Sequence, residues 1–264
     1  MTIQNITDAD GKLLGVRHTD PIYGGPAVLP DLVLDPPNVM NTVTPQAPDQ
    51  LDRFGHERVG NYMHSASGYK YWPFDPKAEE VDIDTIAHQL AGQNRWQGAV
   101  RHRFYKSKIF LSVAEHSTYC ARYIIEVLKR PDLALEALLH DASEAYIGDL
   151  IRPLKYSPEF RAPFLKVEEI NENAIAKAFN LVYPFPKEIK LADEAVCTAE
   201  SQQCIFRHPD ERWGAVPFLD DTKIAPYEIE MLEPYPAKER FIIAYHDIIA
   251  DRAKYRPLPD AFRV

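Results

Sequence analysis

The sequence predicts an all-α protein, a core of six or more helices behind an irregular N-terminal extension. Three observations carry this expectation. From Asp82 onward, apolar residues recur at the three-and-four spacing that puts them on one face of a helix. Strand-like alternation is scarce in the same stretch. The first eighty residues, by contrast, hold nine of the 22 prolines and seven of the 11 glycines, a composition that breaks regular structure. The expected organisation is therefore an extension over residues 1–80 and a helical domain over 81–264.

Within the extension, Tyr23-Gly24-Gly25-Pro26 and Asp35-Pro36-Pro37 are turn signals, with short strands expected around Val28–Leu34 and Tyr69–Trp72. Asp82 or Asp84 caps a first helix running to about Gln93, with Ile83, Ile86, Ala87 and Leu90 on one side. A second is expected from Val113 to Lys129. Pro131-Asp132 starts a third, from Leu133 to about Ile147, ending near Gly148. Helices over about 159–179 and 186–206 each open beside a proline, which suits a first turn. The last covers about 237–254.

Composition narrows the function. With 45% hydrophobic residues the chain can bury a core, and no run of eighteen apolar residues would span a membrane. The first fifteen residues lack the basic start and apolar stretch of a secretory signal. Cys120, Cys197 and Cys204 form no CxxC pair and read as buried free thiols, so a cytoplasmic location is expected. A net charge of −9 argues against long nucleic acids as partners, though a small phosphorylated ligand can still be held beside a cation.

One constellation carries chemistry. His140-Asp141 is expected in the middle of the apolar helix Ala134–Ala145, where a charge is costly unless it is paired or binds metal. On a continuous helix, residues 140, 141 and 144 fall within an arc of about 100°. His116 lies on the buried stripe of the preceding helix, and Asp193 on that of a later one. Two imidazoles and two carboxylates make a nitrogen and oxygen set that suits Mn, Fe, Co, Ni or Zn rather than Ca.

The order His116, His140-Asp141, Asp193 resembles the HD phosphohydrolase superfamily. The run His140-Asp141-Ala142-Ser143-Glu144, then Gly148-Asp149-Leu150, Pro153 and Lys155-Tyr156, is similar to its bacterial 5′-deoxynucleotidases. So are Asn94-Arg95-Trp96 and Val113-Ala114-Glu115-His116-Ser117. Phe74-Asp75-Pro76 and Ile83–His88 look more like phage-encoded members that hydrolyse deoxynucleoside triphosphates. The likeness spans about Tyr69 to Tyr245, with an apparent insertion at Lys106–Leu111.

That resemblance implies an HD-domain helical bundle in which His116, His140, Asp141 and Asp193 hold one divalent transition metal ion. Dinuclear members add histidines between the His-Asp pair and the last aspartate, and this chain has none there. Glu144 matches the catalytic glutamate, and Asp149 a second acidic position near the sugar or the attacking water. Arg95 is expected to bind phosphate through its fork of donors, and Trp96 to wall off a 2′-hydroxyl. Lys155 and Lys190 are candidates for further phosphate contacts, and Glu200 for a partner behind the ligands. His88 is expected as a hydrogen-bonded core residue. The expected substrate is a deoxynucleotide, leaning narrowly to triphosphates such as dATP. A 5′-deoxynucleotidase acting on monophosphates and a non-catalytic nucleotide-sensing module are the alternatives, with a homo-oligomer as the expected assembly. A cyclic-nucleotide or alarmone hydrolase is disfavoured by the Asn-Arg-Trp motif and the missing histidines.

Overall fold

In the computed structural model, the backbone is described for residues 3–7, 13–18, 50–212 and 223–255. The chain divides into two compact units, Met1–Ala47 and Pro48–Val264. In the first, β1 (Ile3–Thr7) and β2 (Leu13–His18) pair antiparallel, with a register shift at Ile6/Thr7. The strand expected at residues 28–34 lies outside the described residues.

The second unit is mostly helical. It opens with a minimal antiparallel pair, β3 (Met63–His64) and β4 (Lys70–Tyr71), the latter inside the strand expected at 69–72. Eight helices follow among the described residues. They are α1 (Ile83–Gly92), α2 (Val113–Glu126), α3 (Ala134–Leu138), α4 (Glu144–Ile147), α5 (Arg152–Lys155), α6 (Pro158–Phe179), α7 (Lys187–Cys204) and α8 (Pro234–Tyr255). No helix among those residues is long and apolar enough to cross a membrane.

Local chemistry sets the helix ends. The Asp82 carboxylate caps α1 by accepting from Thr85 N, and the Ser112 hydroxyl caps α2 by accepting from Glu115 N. The second helix stops short of Lys129 because that residue is left-handed, at φ 54°, and Pro131 follows. Helix α2 sits centrally, packed against α1, α3, α7 and α8. Its Val113, Ala114, Cys120 and Ile124 are fully buried, with Leu135 and Leu138 of α3 and Phe241 of α8 in the same core.

The third helix differs from expectation. It is interrupted, so His140 and Asp141 lie in a tight turn between α3 and α4 rather than mid-helix. The His140 ring nitrogen Nδ1 lies 2.8 Å from the Ala137 carbonyl, a side-chain partner for a helix-end acceptor. The chain then proceeds by three-residue bonds, such as Ala142 N to Leu139 O and Glu144 N to Asp141 O.

Residues ahead of α1 also join the helical core. Tyr71 stacks on Tyr146 at 3.9 Å, and its hydroxyl donates to Asn171 of α6. The Arg58 guanidinium is wholly buried over the Trp72 ring, bonded to Asp52, Asp75 and Glu80. Removing it would leave three carboxylates around an empty pocket. Arg58→Met is therefore expected to cost about 3 kcal/mol or more in a urea titration. A loss below about 1 kcal/mol would mean that water reaches those carboxylates.

Candidate metal centre and catalytic loop

Three elements deliver the expected ligands to one place. His116, which closes the first turn of α2, is fully buried. Its neighbour Glu115 holds the turn by accepting from Met231 N and Leu232 N, at 3.0 and 2.7 Å. Burial pushes that carboxyl up to about 7. The α3–α4 turn supplies His140 and Asp141, and α7 supplies Asp193.

His116 Nε2 lies 3.3 Å from Asp193 Oδ1 and 3.7 Å from Asp141 Oδ2, while His140 Nε2 lies 3.2 Å from Asp141 Oδ1. The two imidazole centroids are 5.4 Å apart. Each outer ring nitrogen is already committed: His116 Nδ1 to Glu200 Oε1 at 2.7 Å, His140 Nδ1 to the Ala137 carbonyl. Such outer bonds fix a ring so that Nε2 offers its lone pair inward. Although buried, His140 Nε2 has no hydrogen-bond partner. Inward lone pairs facing carboxylates repel unless a cation or protons lie between them. The donor set thus fits a divalent ion.

The electrostatics agree. Burial and Arg95 oppose a charge on His116, yet the surrounding Cys120, Glu200 and Asp193 raise its pKa well above the usual value. Burial alone would lift the Asp193 carboxyl, but the hydrogen bond and charge of His116 hold it far below the usual range. A site that favours extra positive charge this strongly is prepared for a cation.

Among the described residues, the groupings whose ligand atoms all lie within 4.8 Å of one another are His116–Cys120–His140 and His116–Cys197–Glu200, and neither includes Asp141 or Asp193. Burial pushes the Cys120 thiol up to about 11 and raises the Cys197 thiol well above its usual value, so both are neutral near pH 7. Glu200 already accepts from His116, Arg95 and Trp96. The aspartates are therefore the better partners for the histidines.

The remaining expected residues fall on both sides of the line. Glu144 opens α4, and its Oε2 lies buried without a hydrogen-bond partner. Burial, then the charges of Asp141 and Asp149, raise its pKa well above the usual value. Asp149 follows Gly148, and burial raises it too, against the pull of Arg95. Arg95 is buried, held by Glu200 Oε2 at 3.1 Å and Cys197 Sγ at 3.2 Å, with Nη1 at 3.5 Å from Asp141. Trp96 adopts a left-handed backbone, φ 56°, and donates from Nε1 to Glu200 at 2.9 Å.

Lys155 stands near these carboxylates, but its ammonium is tied to Glu168 at 2.6 Å. Lys190 is not brought in: its side chain is 77% exposed and points its ammonium towards Glu194. Three residues from Asp193 on a helix leaves it about 60° around the axis, enough for a long side chain to reach water. His88 is exposed on α1 rather than buried as a core group.

Glu200 proves to be the hub behind the site, fully buried and held down to about 2 by Arg95 and His116 despite burial. Sequence reasoning missed Gln93, which contacts the 144–149 loop. Its only signal is its place next to Asn94-Arg95-Trp96.

A helical bundle that presents His, His-Asp and Asp in this order has the architecture of HD-type hydrolases, which bind a divalent metal. The family model for YfbR-like 5′-deoxynucleotidases matches residues 109–192. The uncharacterized protein YfdR of Escherichia coli K12 is 26% identical over 182 residues, covering 69% of this chain and 84% of the relative. An uncharacterized protein of Rhodobacter capsulatus is 30% identical over 145 residues, covering 53% of this chain and 69% of its own. The chain belongs to the HD-domain phosphohydrolase superfamily, with a YfbR-like domain at 109–192.

Proposed function

We propose that this protein is a 5′-deoxynucleotidase that removes phosphate from deoxynucleoside 5′-monophosphates with one divalent transition metal ion. The observation that carries the reading is the pairing of two fixed imidazoles with Asp141 and Asp193, beside a buried Glu144 carboxylate with a free Oε2. His116, His140, Asp141 and Asp193 would hold the ion, which supplies Lewis-acid charge to a phosphate oxygen when bound. Glu144 Oε2 is the atom that takes a proton from the attacking water or returns one to the leaving 5′-oxygen. Asp149 shares that pocket and raises the proton affinity of Glu144 by its charge. Arg95 orients Asp141 and Glu200, and its guanidinium adds positive charge beside the phosphate. Trp96, pinned through its indole nitrogen, forms the wall against a 2′-hydroxyl.

The choice of monophosphate reverses the narrow lean of the sequence. A triphosphate needs additional positive charge for its outer phosphates. Lys155 is neutralised by Glu168, Lys190 faces solvent and Glu194, and Arg95 is engaged with two carboxylates. The matched family description also names a 5′-deoxynucleotidase. The experiment is product analysis on deoxynucleoside mono-, di- and triphosphates with Mn, Co, Ni, Zn and Mg. Release of one phosphate from dNMP, with ribonucleotides slower and the gap narrowed in Trp96→Ala, is the expected result. Preferential hydrolysis of dNTP would restore the triphosphate reading. Binding without turnover of any nucleotide would favour a sensing module.

A further inference from the structure

Three glutamines, Gln89, Gln93 and Gln97, stand four residues apart, and each donates its side-chain amide to a backbone carbonyl of the loop that carries Glu144 and Asp149. Gln89 donates to Ala145 O, Gln93 to Glu144 O at 2.8 Å, and the exposed Gln97 to Asp149 O at 3.3 Å. Gln93 makes the fullest contact, because its Oε1 also accepts from Asp149 N at 3.1 Å. One amide group thus closes both ends of the segment, spanning α4 and Gly148.

We propose that Gln93 is a positioning residue that sets the separation and aim of the Glu144 and Asp149 carboxylates, an inference that rests on the catalytic reading given for them. Gly148, at φ 80° and ψ 155°, ends α4 in a conformation open to glycine, and its N–H already bonds Glu144 O at 2.8 Å. Beyond it, the Asp149 N–H has left the helix and needs an acceptor, which Gln93 provides. The Gln93 backbone is itself fixed, its N–H bonded to Leu90 O and its carbonyl accepting from Val113 N. Val113 begins the helix that carries His116. The brace therefore references both carboxylates to the helix of a metal-ligand histidine. Without it, Gln89 and the Tyr71–Tyr146 stack would still hold the middle of α4, but Glu144 at its start and Asp149 beyond its end would lose the one side chain that ties them together.

The test compares Gln93→Met, which keeps length and loses both bonds, with Gln93→Glu, which keeps only the acceptor, in the metal-loaded full chain. Gln93→Met is expected to lower kcat by about 10–100-fold, with KM within about twofold and metal content unchanged. Gln93→Glu keeps the acceptor for Asp149 N–H but sets an oxygen against the Glu144 carbonyl, so its kcat should also fall, with metal content unchanged. In a Glu144→Gln background the same Gln93→Met change should cost less than about threefold, because a residue that acts through Glu144 has little left to lose. Amide exchange over residues 144–149 should accelerate in Gln93→Met while α2 and α7 stay protected. An equal kcat loss in both backgrounds, or unchanged exchange at 144–149, overturns the proposal. A wild type that hydrolyses no nucleotide would instead defeat the proposed function, and the exchange comparison would still decide the brace.

Discussion

Asp193→Ala is expected to lose both the metal ion and the activity. Asp193 Oδ1 faces His116 Nε2 at 3.3 Å, and its side chain is about a third exposed, on the open side of the cluster. Removing it leaves two imidazoles and one carboxylate, which must also balance the charge of the ion. The Lewis-acid contribution at stake is several kcal/mol, on the order of a thousandfold in rate or more. Elemental analysis of the wild type should give about one ion per chain, and of the variant close to none. Because the exposed side of the site bears the change, folding should survive, and circular dichroism should match the wild type. Two ions per wild-type chain, or full occupancy in the variant, would defeat the assignment of these ligands.

Glu144→Gln should separate proton transfer from binding. The substitution keeps shape and removes the basic carboxylate, so turnover should fall by roughly 10²-fold or more. Metal content and nucleotide affinity should persist. Thermal stability in the metal-free protein should not decline, and this sign follows from the raised pKa. Between the unfolded and folded pKa the native chain binds the extra proton, so stability falls as pH rises through that window. Gln removes the penalty, so the variant should gain on the wild type as pH rises above the ordinary carboxylate range. A variant with near wild-type turnover would make Glu144 structural and leave the water to another base.

Much of the fold and the site is legible in the sequence, and particular residues explain why. The helices beginning at Ile83, Val113, Pro158 and Lys187 follow from caps, prolines and 3.6-residue periodicity, all local signals within a few positions of one another. The buried side chain of His116 followed from its stripe, since helical phase is fixed by neighbours in sequence. The turn at 139–143 was not legible. Its sequence is as helical as its flanks, and the break is accompanied by a contact from the His140 ring to the Ala137 carbonyl that spacing does not announce.

The sequence by itself determined an all-α protein and the order of the four candidate ligands with Glu144 between them, because periodicity and motif order are properties of the chain alone. Only the tertiary structure decided what each charge faces. Arg95 meets Glu200 across 105 residues, and Gln93 meets Glu144 and Asp149 across 51 and 56. Lys155 is quenched by Glu168, while Lys190 turns to water. Such pairings arise where packed helices bring distant side chains together, and electrostatic energy depends on that separation in space and on burial, which spacing along the chain does not encode.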